Sequence, residues 1–254
     1  MENIKKFVDN SIKPNPKFCD ICGKPYKLHI LGKGSRGIYI PDCGCVEKAE
    51  REKAEKINQL RQYKKLKTRY KNADFPVIMR GQRLVKLNCE HRQEGYEYVV
   101  RFRPKRAMGF HFVGSVGNGK TTLAVCIGKE LVKRGYTVRF MTFSQCMRIL
   151  QSTYGNKNPL SFDEQLKKFS DIDLLILDDF GRDGYKEQKL ADAFEFLNHL
   201  YNNRCNVILT SNPEMIEKVK SIPDFGAMLD RFHKMAKYRL FKNSSYRREA
   251  IWCN

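Results

Sequence analysis

Residues 114–121 read Gly-Ser-Val-Gly-Asn-Gly-Lys-Thr, a complete GxxxxGK[ST] run. An apolar stretch, Gly109 to Val113, precedes it, and a helix-patterned stretch, Thr121 to Arg134, follows. Strand, glycine turn and helix in that order restrict the fold sharply, because the turn must join the carboxyl end of a buried strand to the amino end of a helix. There the glycines let successive N–H groups face one concavity, and the helix adds its positive end. Gly114, Ser115, Val116, Gly117, Asn118, Gly119, Lys120 and Thr121 are thus the expected nucleotide contacts, with Lys120 on the outer phosphates and the Thr121 hydroxyl on Mg²⁺.

The rest of residues 77–254 repeats the alternation that such a turn requires. Apolar runs at Phe110 to Val113, Val138 to Phe143, Leu174 to Leu177 and Val207 to Thr210 are short and unalternating, as in strands buried on both faces. Helical stretches separate or follow them, at Thr121 to Arg134, Ser144 to Tyr154, Ser161 to Ser170 and Lys186 to Arg204. The pattern predicts an α/β domain with a parallel sheet flanked by helices. Residues 155–159 (GNKNP) mark an exposed loop.

Two smaller zones precede this domain. Residues 1–46 are rich in Gly, Pro, Lys and Cys without helical period, which suits a small metal-stapled module. Residues 47–76 read as a linker helix with one narrow apolar stripe, Ile57, Leu60 and Tyr63, closed by Phe75-Pro76.

Further chemistry follows the phosphate loop at suitable distances. Leu174 to Leu177 ends in Asp178 and Asp179, so a core strand delivers two carboxylates to the crevice above the sheet. Asp178 suits Mg²⁺ and Asp179 suits an attacking water. Asn212, after Val207 to Ser211, offers an amide toward the γ-phosphate or, equally, a helix N-cap before Pro213. Arg231 and Arg247 follow in helical and terminal segments. Arginine pairs two phosphate oxygens and stays charged, so one could act on a neighbouring subunit's nucleotide and one on its own, although singly each also reads as a surface residue.

The assembled order GSVGNGKTT, LLILDDFG, ILTSN, DRF and SYRRE resembles the AAA+ ATPases of the bacterial DnaC/DnaI helicase-loader and IstB-like group. The resemblance implies an AAA+ P-loop fold that binds ATP or ADP. It makes Gly114 to Thr122 the Walker A segment, Asp178 and Asp179 Walker B, Asn212 sensor 1, Arg231 an arginine finger and Arg247 sensor 2. Many members carry Glu where this chain has Asp179; the shorter side chain withdraws the carboxylate by one methylene and implies slow, switch-like hydrolysis.

At the amino end, Cys19 and Cys22 form a C-x₂-C knuckle, and Cys43 and Cys45 a looser pair. Four thiolates in two close pairs can close a structural Zn²⁺ site, with Gly23 and Gly44 in the turns and His29 as an alternative to Cys43 or Cys45. DnaI-type loaders resemble this chain in carrying an amino-terminal zinc module that contacts the helicase. Cys126 and Cys205 read as packing residues, and His199 and His233 as structural.

Charge distribution points to a polyanion. The net charge is +20, and residues 1–107 hold 26 Lys/Arg against 12 Asp/Glu. Candidate contacts for single-stranded DNA are the cluster Arg101, Arg103, Lys105 and Arg106 and, by resemblance, Phe143, Tyr154 and Lys157. No apolar run approaches the roughly 18 to 20 residues of a membrane span, and the first ten residues lack a signal-peptide core, so the expectation is a cytoplasmic protein with no membrane partner. The leading expectation is an ATP-dependent loader of a replicative DNA helicase onto single-stranded DNA, acting as an ATP-dependent homo-oligomer. Alternatives are an IstB-like transposition helper ATPase and a nucleotide-switched adaptor that recruits a host helicase for a mobile element.

Overall fold

The computed structural model describes residues 18–29, 38–40, 42–154, 160–181 and 187–243. Arg247, the 155–159 loop and Lys157 lie outside the described residues. The chain divides into two compact units, Met1–Lys64 and Lys65–Asn254.

In the first unit, β1 (Lys27–His29) pairs antiparallel with β2 (Ile38–Ile40). Gly23 and Gly44 take φ of 68° and 66°, in the region where a side chain is strained, so each can turn the chain beside its cysteine pair. Helix α1 (Cys45–Ala73) starts here and runs into the second unit. Nearly every residue in it is a good helix former, with Glu47 in the first turn and Lys71 in the last favouring the dipole. It begins two residues before the predicted start, so Cys45 belongs to the helix. Ile57, Leu60 and Tyr63 are all exposed.

The second unit is built on a five-stranded parallel sheet in the order β4-β5-β6-β3-β7. Its strands are β3 (Phe110–Gly114), β4 (Val138–Thr142), β5 (Leu174–Phe180), β6 (Val207–Ser211) and β7 (Lys237–Phe241). Helices α2 (Arg92–Arg101) and α3 (Lys120–Lys133) pack on one face together with the end of α1. On the other face lie α4 (Phe143–Gln151), α5 (Phe162–Ser170), α6 (Glu187–Asn202), α7 (Pro213–Lys220) and α8 (Pro223–Met235).

Strand side chains alternate between the two cores. Phe110, Phe112, Phe140, Leu174, Ile176 and Ile208 meet α2 and α3, while Val113, Met141, Leu175, Leu177, Val207 and Leu209 meet the opposite layer. Full burial of each such side chain contributes about 1.5–3 kcal/mol, which makes a register slip prohibitive. Gly109 permits the closest approach: a Cβ there would lie 1.9 Å from Val207 O.

This topology positions the crevice. The connection from β3 through α3 to β4 jumps two strands, leaving β6 between β3 and β5. The carboxyl ends of β3, β6 and β5 therefore stand side by side, at the point in an open sheet where ligands bind.

Candidate nucleotide site

The loop after β3 has the backbone its sequence predicts. Gly117 and Gly119 adopt φ of 86° and 93°, and Gly119 is the left-handed N-cap of α3. Gly114 is equally constrained: a Cβ there would come within 2.3 Å of Asn118 Nδ2 and 2.7 Å of Phe241 O. Asn118 is buried, and its Nδ2 donates to Phe241 O at 3.3 Å, tying the loop to β7.

Lys120 curls back over this loop. Its Nζ donates to Gly114 O and Ser115 O at 2.6 Å each and to Asn118 Oδ1 at 3.0 Å. The ammonium is buried, so it sits inside the concavity formed by the glycines. Ser115 and Val116 are exposed at the rim, and Thr122 is partly exposed on the first turn of α3.

Beside it, β5 departs from regular pairing. Its register with β6 shifts between Leu177 and Phe180, so Asp178 and Asp179 occupy an irregularity at the strand end. Such bulges re-aim side chains next to sites. Thr121 Oγ1 donates to Asp178 Oδ1 at 2.8 Å, and Thr210 Oγ1 donates to the same oxygen at 2.5 Å. Burial raises the Asp178 pKa above its ordinary value; the Thr210 and Thr121 hydroxyls oppose that shift, Asp179 adds to it, and Lys120 opposes it. Asp179 has φ of 56°, and its N–H donates to Thr210 Oγ1 at 3.1 Å.

These residues fit a nucleotide and its magnesium on three grounds. The cradle is walled by glycines that tolerate no side chain, a buried ammonium stands over it, and a carboxylate and a threonine hydroxyl meet at its edge as hard oxygen donors.

The other sequence-predicted residues divide. Asn212 precedes α7 at the end of β6 as its N-cap, but its side chain makes no capping hydrogen bond. Of the two roles the sequence left open, the side-chain cap is the one not taken. Arg231 is exposed on α8, and no contact of the described residues joins it to the phosphate loop of its own chain. Phe143 is core. Tyr154 is half exposed; its ring stacks on Phe162 at 5.8 Å and its hydroxyl donates to the buried Asp192 at 2.8 Å. In the basic cluster, Arg103 donates to Phe102 O, and the Lys105 ammonium to Ser170 O.

Sequence reasoning missed Thr210 and a buried histidine chain. His111 on β3 has Nδ1 2.9 Å from His233 Nε2 on α8 and Nε2 2.6 Å from Ser211 Oγ on β6. Burial, with His233 and Lys220 adding, holds the His111 pKa down to about 3, so the ring is neutral. The signal for both was present: His111, Thr210 and Ser211 are polar residues within otherwise apolar strands.

In the first unit, one candidate ligand atom from each of Cys19, Cys22, Cys43 and Cys45 lies within 4.8 Å of the others, and His29 is not among them. Backbone hydrogen bonds from Cys22 and Ile21 lower the Cys19 pKa to about 7. A tetrahedral site with metal–sulfur bonds of about 2.3 Å needs sulfurs about 3.8 Å apart, so the cluster is close to that size already. Among the described residues it is the one group of three or more candidate ligands this compact.

Residues 101–251 match the IstB-like ATP binding proteins. The chain belongs to that family. Among relatives of this IstB-like chain, the replicative helicase loader DnaC of Buchnera aphidicola subsp. Baizongia pistaciae is 34% identical over 85 residues, which cover 34% of each chain. The insertion sequence IS21 ATP-binding protein of Pseudomonas aeruginosa is 29% identical over 146 residues, covering 56% of this chain and 54% of that one. The IstB-like chain thus spans about a third to a half of the length of these curated relatives. A crystal structure of the DnaC helicase loader superposes with a TM-score of 0.59 at 20% identity, covering 66% of this chain and all of that one, which establishes a shared AAA+ fold. Family and fold together make the second unit an IstB-like ATP-binding domain with the fold of that loader. No helix among the described residues is long and apolar enough to cross a membrane.

Proposed function

We propose that this IstB-like ATPase loads a replicative DNA helicase onto single-stranded DNA, with ATP binding as the signal for assembly and slow hydrolysis as the release. The observation that carries this reading is the pairing, on one chain, of an ATP-binding AAA+ domain with a separate four-cysteine unit.

In this reading Gly114 to Thr122 bind the phosphates through backbone N–H groups and the Lys120 ammonium. Thr121 and Asp178 hold Mg²⁺, which supplies neutralisation of charge at the transferring phosphoryl group. Asp179 orients the attacking water, and Asn212, whose amide is not used as a helix cap, reports on the γ-phosphate. Arg231, exposed on α8, suits the nucleotide of a neighbouring subunit in a homo-oligomer; Arg247 is assigned to its own. Cys19, Cys22, Cys43 and Cys45 hold Zn²⁺ as a structural ion, and that module with the linker helix grips the helicase.

The relative from insertion sequence IS21 favours a second reading, a transposition helper acting on duplex DNA. Size-exclusion chromatography of the protein with its host's replicative helicase, with and without ATP, separates the two. Co-elution only with ATP is expected; filaments on duplex DNA without any helicase binding overturn the loader reading and support the other.

A further inference from the structure

A cleft on the second unit, remote from the phosphate loop, concentrates unpaired positive charge beside aromatic rings. It lies between the end of α1, the 3₁₀ turns Val77–Met79 and Leu84–Lys86, and the carboxyl-terminal half of α3. Its volume is about 910 Å³, toward the upper end of the roughly 300–1,000 Å³ typical of small-ligand sites. Lys129 follows Lys120 by nine residues on α3, which puts it about 13 Å along the helix from the phosphate loop.

The charge balance of this cleft is one-sided. Of its two acids, Glu130 pairs with Lys133 at 2.6 Å, and Asp74 meets Arg139 at 3.4 Å. Lys67, Lys71, Arg80 and Arg83 line the cleft, are exposed, and have no ion-pair partner among the described residues. A fifth cation stands in the wall: the buried Lys129 donates to Met79 O, Arg80 O and Gln82 O at 3.1, 2.7 and 2.5 Å. Three neutral carbonyls satisfy its hydrogen bonds without a direct carboxylate partner. The same bonds fix the segment that presents Arg80 and Arg83. Cations gathered along a concave wall focus their field outward and attract a polyanion.

The aromatic rings decide which polyanion. Tyr70 and Tyr96 line the same cleft and are half-buried. Tyr70 is held by its hydroxyl, which donates to Lys129 O at 3.3 Å, and by edge contact with Phe75. Fixed rings beside cations stack unpaired bases, whereas a duplex keeps its base faces inside the helix.

We propose that this cleft binds single-stranded nucleic acid, with phosphates on Lys67, Lys71, Arg80 and Arg83 and bases against Tyr70 and Tyr96. It deepens the loader reading and rests on it for the strand's identity as DNA.

The test is fluorescence anisotropy of labelled oligothymidine with the full chain, alongside binding of a fluorescent ATP analogue as a control of fold. The double variant Arg80→Ala/Arg83→Ala is expected to lower oligothymidine affinity about tenfold and to reduce the log–log salt slope by about 1.4, at 0.7 per phosphate contact on a single strand. Analogue binding should not change. Lys67→Gln/Lys71→Gln, on the exposed surface of α1, should act in the same direction and carries the test if the first variant loses analogue binding. Oligothymidine binding by the unmodified chain that both variants leave intact overturns the cleft alone. An unmodified chain that binds no oligothymidine with ATP present overturns both the cleft and the loader reading. A loss on duplex DNA as large as that on the single strand overturns the single-strand assignment. Loss of poly-glutamate binding with oligothymidine binding retained assigns the cleft to an acidic protein segment instead.

Discussion

Thr121 Oγ1 donates a 2.8 Å hydrogen bond to Asp178 Oδ1 across 57 residues of sequence. The bond joins the first turn of α3 to the end of β5, and Thr210 supplies a second hydroxyl to the same oxygen from the strand between. A helix and two strands thereby converge on one buried carboxylate.

That carboxylate carries a stability cost. The folded-state pKa of Asp178 lies above its ordinary 3.8, chiefly through burial. Its contribution is therefore most favourable below the ordinary value and is lost as pH rises through the raised one. Above that raised value the nucleotide-free fold bears an ionised, desolvated group. Asp178→Asn keeps an acceptor for both hydroxyls and removes the charge. Thermal unfolding should show a melting temperature higher by about 2–4 °C per kcal/mol relieved, while magnesium-dependent ATP affinity falls by an order of magnitude or more.

Asp179 sits at φ of 56°, a left-handed conformation that Asp and Asn tolerate better than most residues. This backbone gives a physical reason for Asp at this position. Asp179→Glu should lengthen the reach to water at the expense of backbone strain: turnover rises several-fold and stability drops by about 1 kcal/mol. Asp179→Asn should keep the fold and ATP binding while lowering hydrolysis about 100-fold. Steady-state ATPase assays with calorimetry check both variants.

The His111 ring is neutral when folded, with its pKa held to about 3, whereas an unfolded chain takes up the proton near 6.5. Its contribution to stability is full above 6.5 and is lost progressively as pH falls toward 3. Urea unfolding should show about 2 kcal/mol less stability at pH 5 than at pH 7.5 from this group. His111→Phe should be about 1–3 kcal/mol less stable at pH 7.5, since His233 and Ser211 lose their partner, but flatter with pH.

The four-cysteine unit should hold one zinc per chain by elemental analysis, and Cys22→Ser should abolish it. Chelation should expose residues 18–29 and 42–45 to protease and leave nucleotide binding by the second unit intact, since the two units are separately compact. Metal content together with limited proteolysis reads both effects.

Much of this arrangement was legible in the sequence because it is local. The phosphate loop, the acids ending an apolar strand and the cysteine pairs are set by neighbours within a few residues. The strand β7 was not visible: Lys237 to Phe241 lies at a sheet edge with only Phe241 buried, so the segment carries neither an apolar run nor a period-two pattern. Thr210 and His111 were missed because their partners come from other strands and from α8, and a polar residue in an apolar run does not name its partner. The bulge that places Asp178 and Asp179 depends on pairing with β6, which no local pattern records.

The central expectation is that ATP bound at this loop drives a helicase onto DNA. The direct measurement is retention of the host's replicative helicase on circular single-stranded DNA after gel filtration, with the unmodified chain or Lys120→Ala, and with or without ATP. Retention only with the unmodified chain and ATP is the predicted result. Equal retention with Lys120→Ala, or without ATP, would contradict it.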